Sequence, residues 1–484
     1  MNTSASNLSR RLAASALAAL PFEPHPDQEF LLRGLADFIA SPDARGVFVL
    51  NGYAGTGKTS LVGTMIKALD AERRRVAVLA PTGRAAKVAS MMSAHPASTI
   101  HRRIFRPDFN DPGSRSYHVA PNESPDTLFI VDEASLIPDR PGDRSSLLEL
   151  LTRYVYSAPG CRMILVGDEA QLPPVGQEQS SAMNPDRLRS LGLNPVCATL
   201  DLPLRQEADS GIIHNATLVR QFLYHPPYDI SDVYLEVSGF PGISVVSSLE
   251  LGDLLADSYA SVGKEETIVI TRSNRRANNF NQEIRNRVLY AEQPVERDER
   301  LVISKNDYYW LRNDRKMKLI ANGDMARVSH VGRTEKAYGR WFTEVELELA
   351  DGRLTTAQLM LRSLVTDGPA IPGDEMDRFY NRVLAEYEGE LSEKIQGALS
   401  DPYYNALQAK YAYCVTCHKA QGGQWKHVYV DMGNIAPDMF DASFFRWLYT
   451  AITRATEHVF LINPSFPFRK NSASVVKVAE LAKK

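Results

Sequence analysis

The stretch "NGYAGTGKTS", residues 51–60, follows the apolar run "GVFVL" and precedes "LVGTMIKAL". Gly52 to Thr59 spell G-x-x-x-x-G-K-T. That order calls for a strand before it and a helix after it, because the glycines turn backbone amides toward an anion held at the helix's positive end. Gly52, Gly55, Thr56, Gly57, Lys58, Thr59 and Ser60 are therefore candidate ligands of a nucleotide's phosphates. Lys58 would reach the β and γ phosphates, and the Thr59 hydroxyl would enter the shell of Mg²⁺, which prefers oxygen. A plain glycine turn is the competing reading, and the spacing and flanking periodicity both favour the phosphate loop.

Downstream, "DTLFIVDEAS" reads as a buried strand ending in two carboxylates. Asp132 would hold Mg²⁺ through water, and Glu133 would orient and deprotonate an attacking water. An Asp-Glu pair can also simply open a helix, since acids favour helix N-termini. A further strand, "CRMILVGDEAQLPPVG", brings Asp168 and Gln171 to the same carboxyl edge. In "RVAVLAPTGRAAKVASMMS" the Pro-Thr break puts Thr82 at that edge too, facing a neighbouring surface. The expected fold class is α/β, built on parallel sheets.

At 484 residues, about three domains are expected. A net charge of −3 offers no global attraction to a polyanion, so any nucleic acid needs a locally lined groove. Four cysteines make no disulfide framework, which suits a reducing, cytoplasmic setting. No apolar stretch approaches the ~18 residues of a membrane span. "SRRLAASALAALPF", residues 9–22, resembles a targeting peptide in composition, but a helix packed against the first domain is expected.

In order, "PDQEF", "GYAGTGKTS", "LAPTGRAAK", "STIH", "VDEAS", "GDEAQLPPVG", "LRQ", "CVTCHKAQGGQ" and "YTAITRA" resemble the motif series of superfamily 1B helicases, the RecD-like and Dda-like group. The match runs from about residue 25 to 463, with a poorly matched middle. Single motifs occur in many ATPases, whereas the ordered set is specific. The resemblance implies two RecA-like domains that clamp ATP and walk along single-stranded nucleic acid. It makes Gln28 the adenine reader, lets Gln171 couple the γ-phosphate to strand contact, and has Arg205 and Arg454 reach across from the second domain. Such an arginine is worth ~10³ to 10⁵ in rate, because phosphoryl transfer spreads negative charge over the leaving group. Read alone, an arginine would be a surface ion pair.

The same resemblance implies strand contacts at Thr82, His101, Thr416, His418, Lys419 and Asn274. Without its motif, His418 would read as a satisfied core histidine. A stacked base is worth ~1–3 kcal/mol, against ~1.4 kcal/mol for opening a duplex step, so trapping a melted nucleotide can bias opening. Cys414 and Cys417 spell C-x-x-C, but no second ligand pair accompanies them and the pattern continues a buried strand.

Relatives insert a pin between "STIH" and the Asp-Glu strand, here about 103–125, where Asp-Pro-Gly would turn a hairpin flanked by Phe109 and Tyr117, the candidate separation residues. A polar loop fits the composition equally. The expected division is residues 1–180 for the first RecA-like domain, 181–290 with 411–484 for the second, and 291–410 for an SH3-like β insert carrying an acidic helical projection. The expected activity is ATP-dependent, 5′ to 3′ translocation and unwinding by a monomer acting on single-stranded DNA and on single-strand/duplex junctions, with ATP and Mg²⁺ as cofactors. Polarity and the preference for DNA come from the resemblance alone. The alternative is an ATP-gated module that closes on a strand without separating it; Glu133 and the two arginines favour the motor.

Overall fold

The computed structural model describes residues 3–107, 117–139, 146–202, 210–226, 233–312, 319–350, 352–435, 439–462 and 475–477. Arg205 and Phe109 lie outside the described residues.

The strand Gly46–Gly52 is buried throughout, and its alternate side chains enter two different layers. Phe48 and Leu50 join Leu31, Leu61 and Met65 on one face, while Val47 and Val49 join Phe129, Leu148 and Leu151 on the other. Burial on both faces is why the run reads as continuously apolar rather than alternating. The sheet is parallel and six-stranded, in the order Ala97–Thr99, Arg75–Ala80, Thr127–Val131, Arg162–Gly167, Gly46–Gly52, Asn194–Leu200. Its last strand pairs Gly46 with Asn194 and Gly52 with Leu200, so the first sheet extends beyond residue 180, where the sequence suggests a change of domain. "NPVCATL" hides this because it is an edge strand, mostly half-buried or exposed.

The N-terminal helix Thr3–Ala18 packs as expected. It sends Leu12, Ala13 and Ala16 into the first core. Ser9 donates to Asp37, and Arg11 pairs with both carboxylate oxygens of Glu72 at 2.9 Å.

A second parallel sheet has the order Ile243–Val246, Ala455–Ile462, Trp425–Asp431, Thr267–Thr271, Cys414–Thr416. Between its strands in sequence lies an antiparallel sheet in the order Leu354–Met360, Arg340–Leu349, Met325–Ala337, Arg300–Ile303, Ala409–Tyr411. The helices Gly373–Ala385 and Leu391–Ser400 cover its far end, burying Phe379, Val383 and Ala398 against Phe342 and Met360. A small antiparallel ladder pairs Phe105 with Val119 and Pro107 with Tyr117. Among the described residues, no helix is long and apolar enough to cross a membrane.

Candidate functional site

The phosphate loop follows the buried strand and opens the helix Lys58–Ala71. Gly57 caps that helix at φ 81°, a left-handed conformation costly for any residue with a Cβ, and this turns the next amides toward the loop's interior. Lys58 donates to the carbonyl of Tyr53 at 3.0 Å and to that of Gly52. The Thr56 hydroxyl donates to Tyr53 O at 2.8 Å, bracing the turn, while Thr59 and Ser60 stand half-buried in the first helical turn.

Gln28 is buried and already engaged at both ends. Its carbonyl oxygen accepts from the His25 amide at 3.0 Å in a capping box, and its nitrogen donates to Thr56 O at 3.1 Å. The side chain thus ties the helix Pro26–Ala40 to the phosphate loop. One N–H and one lone pair are left for an adenine edge.

Asp132 leaves its strand beside the neighbouring strand end, its amide donating to Leu79 O at 2.9 Å. Desolvation, then the adjacent Glu133, push its carboxyl up to about 6, against the pull of Lys58 and of a backbone hydrogen bond. A carboxylate crowded in this way fits a divalent cation, with Thr59 as the second oxygen donor. Glu133 adopts φ 51°, ψ 37°. Left-handed backbone at a non-glycine residue stores ~1–3 kcal/mol and recurs at functional positions. No pattern in "VDEAS" signals it.

The second lobe meets this pocket directly. Asp168 is buried, and one of its carboxylate oxygens accepts the Tyr449 hydroxyl at 2.7 Å. The same hydroxyl accepts the Ala54 amide at 2.8 Å. Thr450 Oγ1 accepts the Leu172 amide at 2.8 Å, Gln421 donates to Leu172 O at 2.6 Å, and Arg446 donates to the carbonyls of Glu169 and Gln171. Gln171 lies inside this clasped turn with its side-chain oxygen buried and unpaired among the described residues. Arg454, 4% exposed, donates to Thr450 O at 3.1 Å, Gly423 O at 3.3 Å and Thr453 Oγ1 at 3.2 Å. Its guanidinium is therefore bonded within its own lobe. Sequence reasoning passed over Tyr449, Thr450, Arg446 and Gln421. Three of them sit in or just before "YTAITRA", where the i, i+4 spacing of Arg446, Thr450 and Arg454 was the available signal.

The strand-contact candidates gather at the carboxyl edges of both sheets. Ala80 lies opposite Thr99, so Thr82 and His101 leave adjacent strand ends. Thr271 lies opposite Thr416, so Asn274 and Lys419 do the same in the second sheet. Thr82 caps its helix by accepting the Ala85 amide at 3.2 Å. His101, half-buried, packs its ring against Phe105, and desolvation lowers its pKa. His418 lies at the surface, and partial desolvation lowers its pKa. The Lys419 ammonium is buried without a hydrogen-bond partner among the described residues, and desolvation followed by Lys410 bring it down to about 8. Cys414 and Cys417 are free thiols in and just after the buried strand Cys414–Thr416, and burial pushes Cys417 up to about 12.

The two edges touch. Gly422, at φ 70°, lies so close to Thr82 and Ala85 that an added Cβ would come within 3.0 Å of Ala85 Cβ. Arg84 donates to Gln424 O at 2.9 Å and lies 3.8 Å over the Trp425 ring.

Residues 33–196 match the family model of an AAA domain, and residues 411–462 match that of a UvrD-like helicase C-terminal domain. The ATP-dependent RecD2 DNA helicase of Deinococcus radiodurans is 36% identical over 26% of this chain and 16% of its own length. The ATP-dependent DNA helicase Dda of Enterobacteria phage T4 is 32% identical over 28% of this chain and 29% of its own. The chain thus spans less than a third of the length of these relatives. Among solved structures, Bacteroides Pif1 helicase in complex with ADP-AlF3 and ssDNA is similar over 91% of this chain and 92% of that one, at 14% identity and a TM-score of 0.46. The two family-model matches fall on the two parallel sheets, and over these stretches the chain is similar to ATP-dependent DNA helicases.

Proposed function

We propose that this chain is an ATP-driven motor that moves 5′ to 3′ along single-stranded DNA and separates duplex at single-strand/duplex junctions. One observation carries the reading. The helix Ala442–Ile452 of the later lobe holds the turn Asp168–Leu172 beside the phosphate loop, while the loop Gln421–Trp425 of that lobe rests on Thr82–Ala85 at the strand-facing edge. A lobe movement at one edge must therefore be felt at the other. The runs 181–290 and 411–484 act in this reading as the moving lobe, the ladder about residues 103–125 as the pin, and the chain works as a monomer in the cytoplasm.

In the hydrolytic cycle the phosphate-loop amides and Lys58 bind and orient ATP, and Gln28 holds the loop against its helix. Glu133 takes the proton of the attacking water, aimed by its strained backbone. Mg²⁺ beside Asp132 and Thr59 would neutralise charge on the phosphates. Arg205 and Arg454 supply cationic charge from the later lobe, for which Arg454 must turn from its present carbonyl partners. Gln171, with an unpaired oxygen in a turn clasped by the later lobe, reports the terminal phosphate's state to the strand edge.

Lys419 is assigned to a strand phosphate. An orphaned buried ammonium is costly, and an anion relieves it. Lys419→Met should weaken binding of an oligothymidylate and reduce the slope of log affinity against log salt by ~0.7. Its charged form binds the phosphate and its free pKa is about 8, so affinity is held below pH 8 and lost above it. Wild-type affinity should fall ~10-fold from pH 7 to 9, and Lys419→Met should flatten that fall. Equal pH responses in the two proteins would remove Lys419 from the strand site.

The motor reading is tested by ATP hydrolysis with and without single-stranded DNA. Strong stimulation by the strand is expected; an unchanged rate rejects the motor.

A further inference from the structure

We infer that Tyr449 is a positioning residue that couples the phosphate loop to the Asp168–Leu172 turn, and so transmits strand occupancy to hydrolysis. This rests on the motor reading above. The side chain is 1% exposed on the helix Ala442–Ile452, and its hydroxyl is satisfied in both roles at once. It accepts from Ala54 N–H at 2.8 Å and donates to Asp168 at 2.7 Å. The other Asp168 oxygen is held by the Ala170 amide at 2.9 Å, so the carboxylate has little freedom to follow the hydroxyl elsewhere. A phenol carries one proton and directs it to one acceptor. Burial and the Asp168 charge raise the phenol's pKa well above its ordinary value, which keeps that proton in place.

Three elements from distant parts of the chain therefore meet on one oxygen atom. Ala54 belongs to the loop that cradles phosphate, and Asp168 opens the turn containing the unpaired Gln171. Tyr449 belongs to the lobe that carries Thr416, His418 and Lys419. The neighbouring Thr450 doubles the connection: it accepts from Leu172 N–H and donates to Arg446 O at 2.7 Å, making the turn and the helix move as a unit. By contrast, Arg454 is bonded inside its own lobe. Tyr449 thus makes a side-chain hydrogen bond from the later lobe to the phosphate loop's own backbone.

Tyr449→Phe keeps the ring and deletes both hydrogen bonds. Tyr429→Phe serves as the control, because Tyr429 is also fully buried in the second lobe and its hydroxyl bonds Ser258 and Leu254 O, away from the cleft. Steady-state hydrolysis is measured for the full chain across ATP concentration, with and without saturating oligothymidylate. The expected result for Tyr449→Phe is a ~10-fold loss in strand-stimulated kcat, as for a hydrogen bond to a charged group, together with a smaller change in the ATP KM and a diminished ratio of stimulated to basal rate. Tyr429→Phe should keep the wild-type ratio. If the wild type is stimulated and Tyr449→Phe keeps the wild-type ratio, or if both variants lose it equally, the coupling role is wrong while the motor stands. If the wild type is not stimulated at all, the motor reading fails and takes this inference with it.

Discussion

Glu133→Gln is expected to bind ATP and single-stranded DNA near wild-type affinity while kcat for hydrolysis falls ~10² to 10⁴-fold, the range for losing a positioned general base. The amide keeps the shape and hydrogen-bonding reach of the side chain but cannot take the proton of water. Glu133 sits at φ 51°, a left-handed conformation that strains a non-glycine residue. That strain survives in the glutamine variant, so the loss reports on proton transfer and not on a relaxed turn. Rates are read from single-turnover hydrolysis, and binding from fluorescence anisotropy of a labelled strand and nucleotide. A variant that still unwinds at the wild-type rate would strip Glu133 of its role.

Arg454→Ala should lower kcat by ~10³-fold or more if its guanidinium meets the terminal phosphoryl group during the cycle. Its present partners are Thr450 O, Gly423 O and Thr453 Oγ1. These place it where the Ala442–Ile452 helix ends against the "HKAQGG" loop, a junction that lobe closure would disturb. Deleting a buried, bonded cation also costs stability. Thermal melting of the variant is therefore measured beside its rate. A loss of activity no larger than the loss of folded protein would mark Arg454 as a structural brace of that junction and leave the cross-lobe charge to Arg205.

Much of the candidate site's first edge was legible in the sequence because its signals are local. "GVFVLNGYAGTGKTS" shows strand, loop and helix cap within fifteen letters, and "DTLFIVDE" shows a two-sided buried strand ending in its acids. The C-x-x-C pair was readable from the buried strand it continues, whereas the N-terminal helix was expected only because the fold begins directly after it, and its buried residues Leu12, Ala13 and Ala16 appear in the structure. What stayed hidden depends on chain partners far apart in sequence. Tyr449 meets Ala54 across 395 positions, and Thr450 meets Leu172 across 278. No periodicity encodes such contacts. The edge strand Asn194–Leu200 was missed for another reason: with its side chains mostly half-buried or exposed, it lacks the apolar run that announced its neighbours. The amide of Gln28 illustrates a third kind of limit. Its motif suggests a base reader, yet in place it also braces the loop through Thr56 O, a role that only geometry displays.

The most direct test of the account is unwinding of a fluorescent duplex carrying a 5′ or a 3′ single-stranded tail, with ATP and Mg²⁺. Strand separation of the 5′-tailed substrate, absent without ATP and absent in Glu133→Gln, is the predicted result. Tight ATP-dependent binding to both tails with no separation of either would contradict it and identify a clamp in place of a motor.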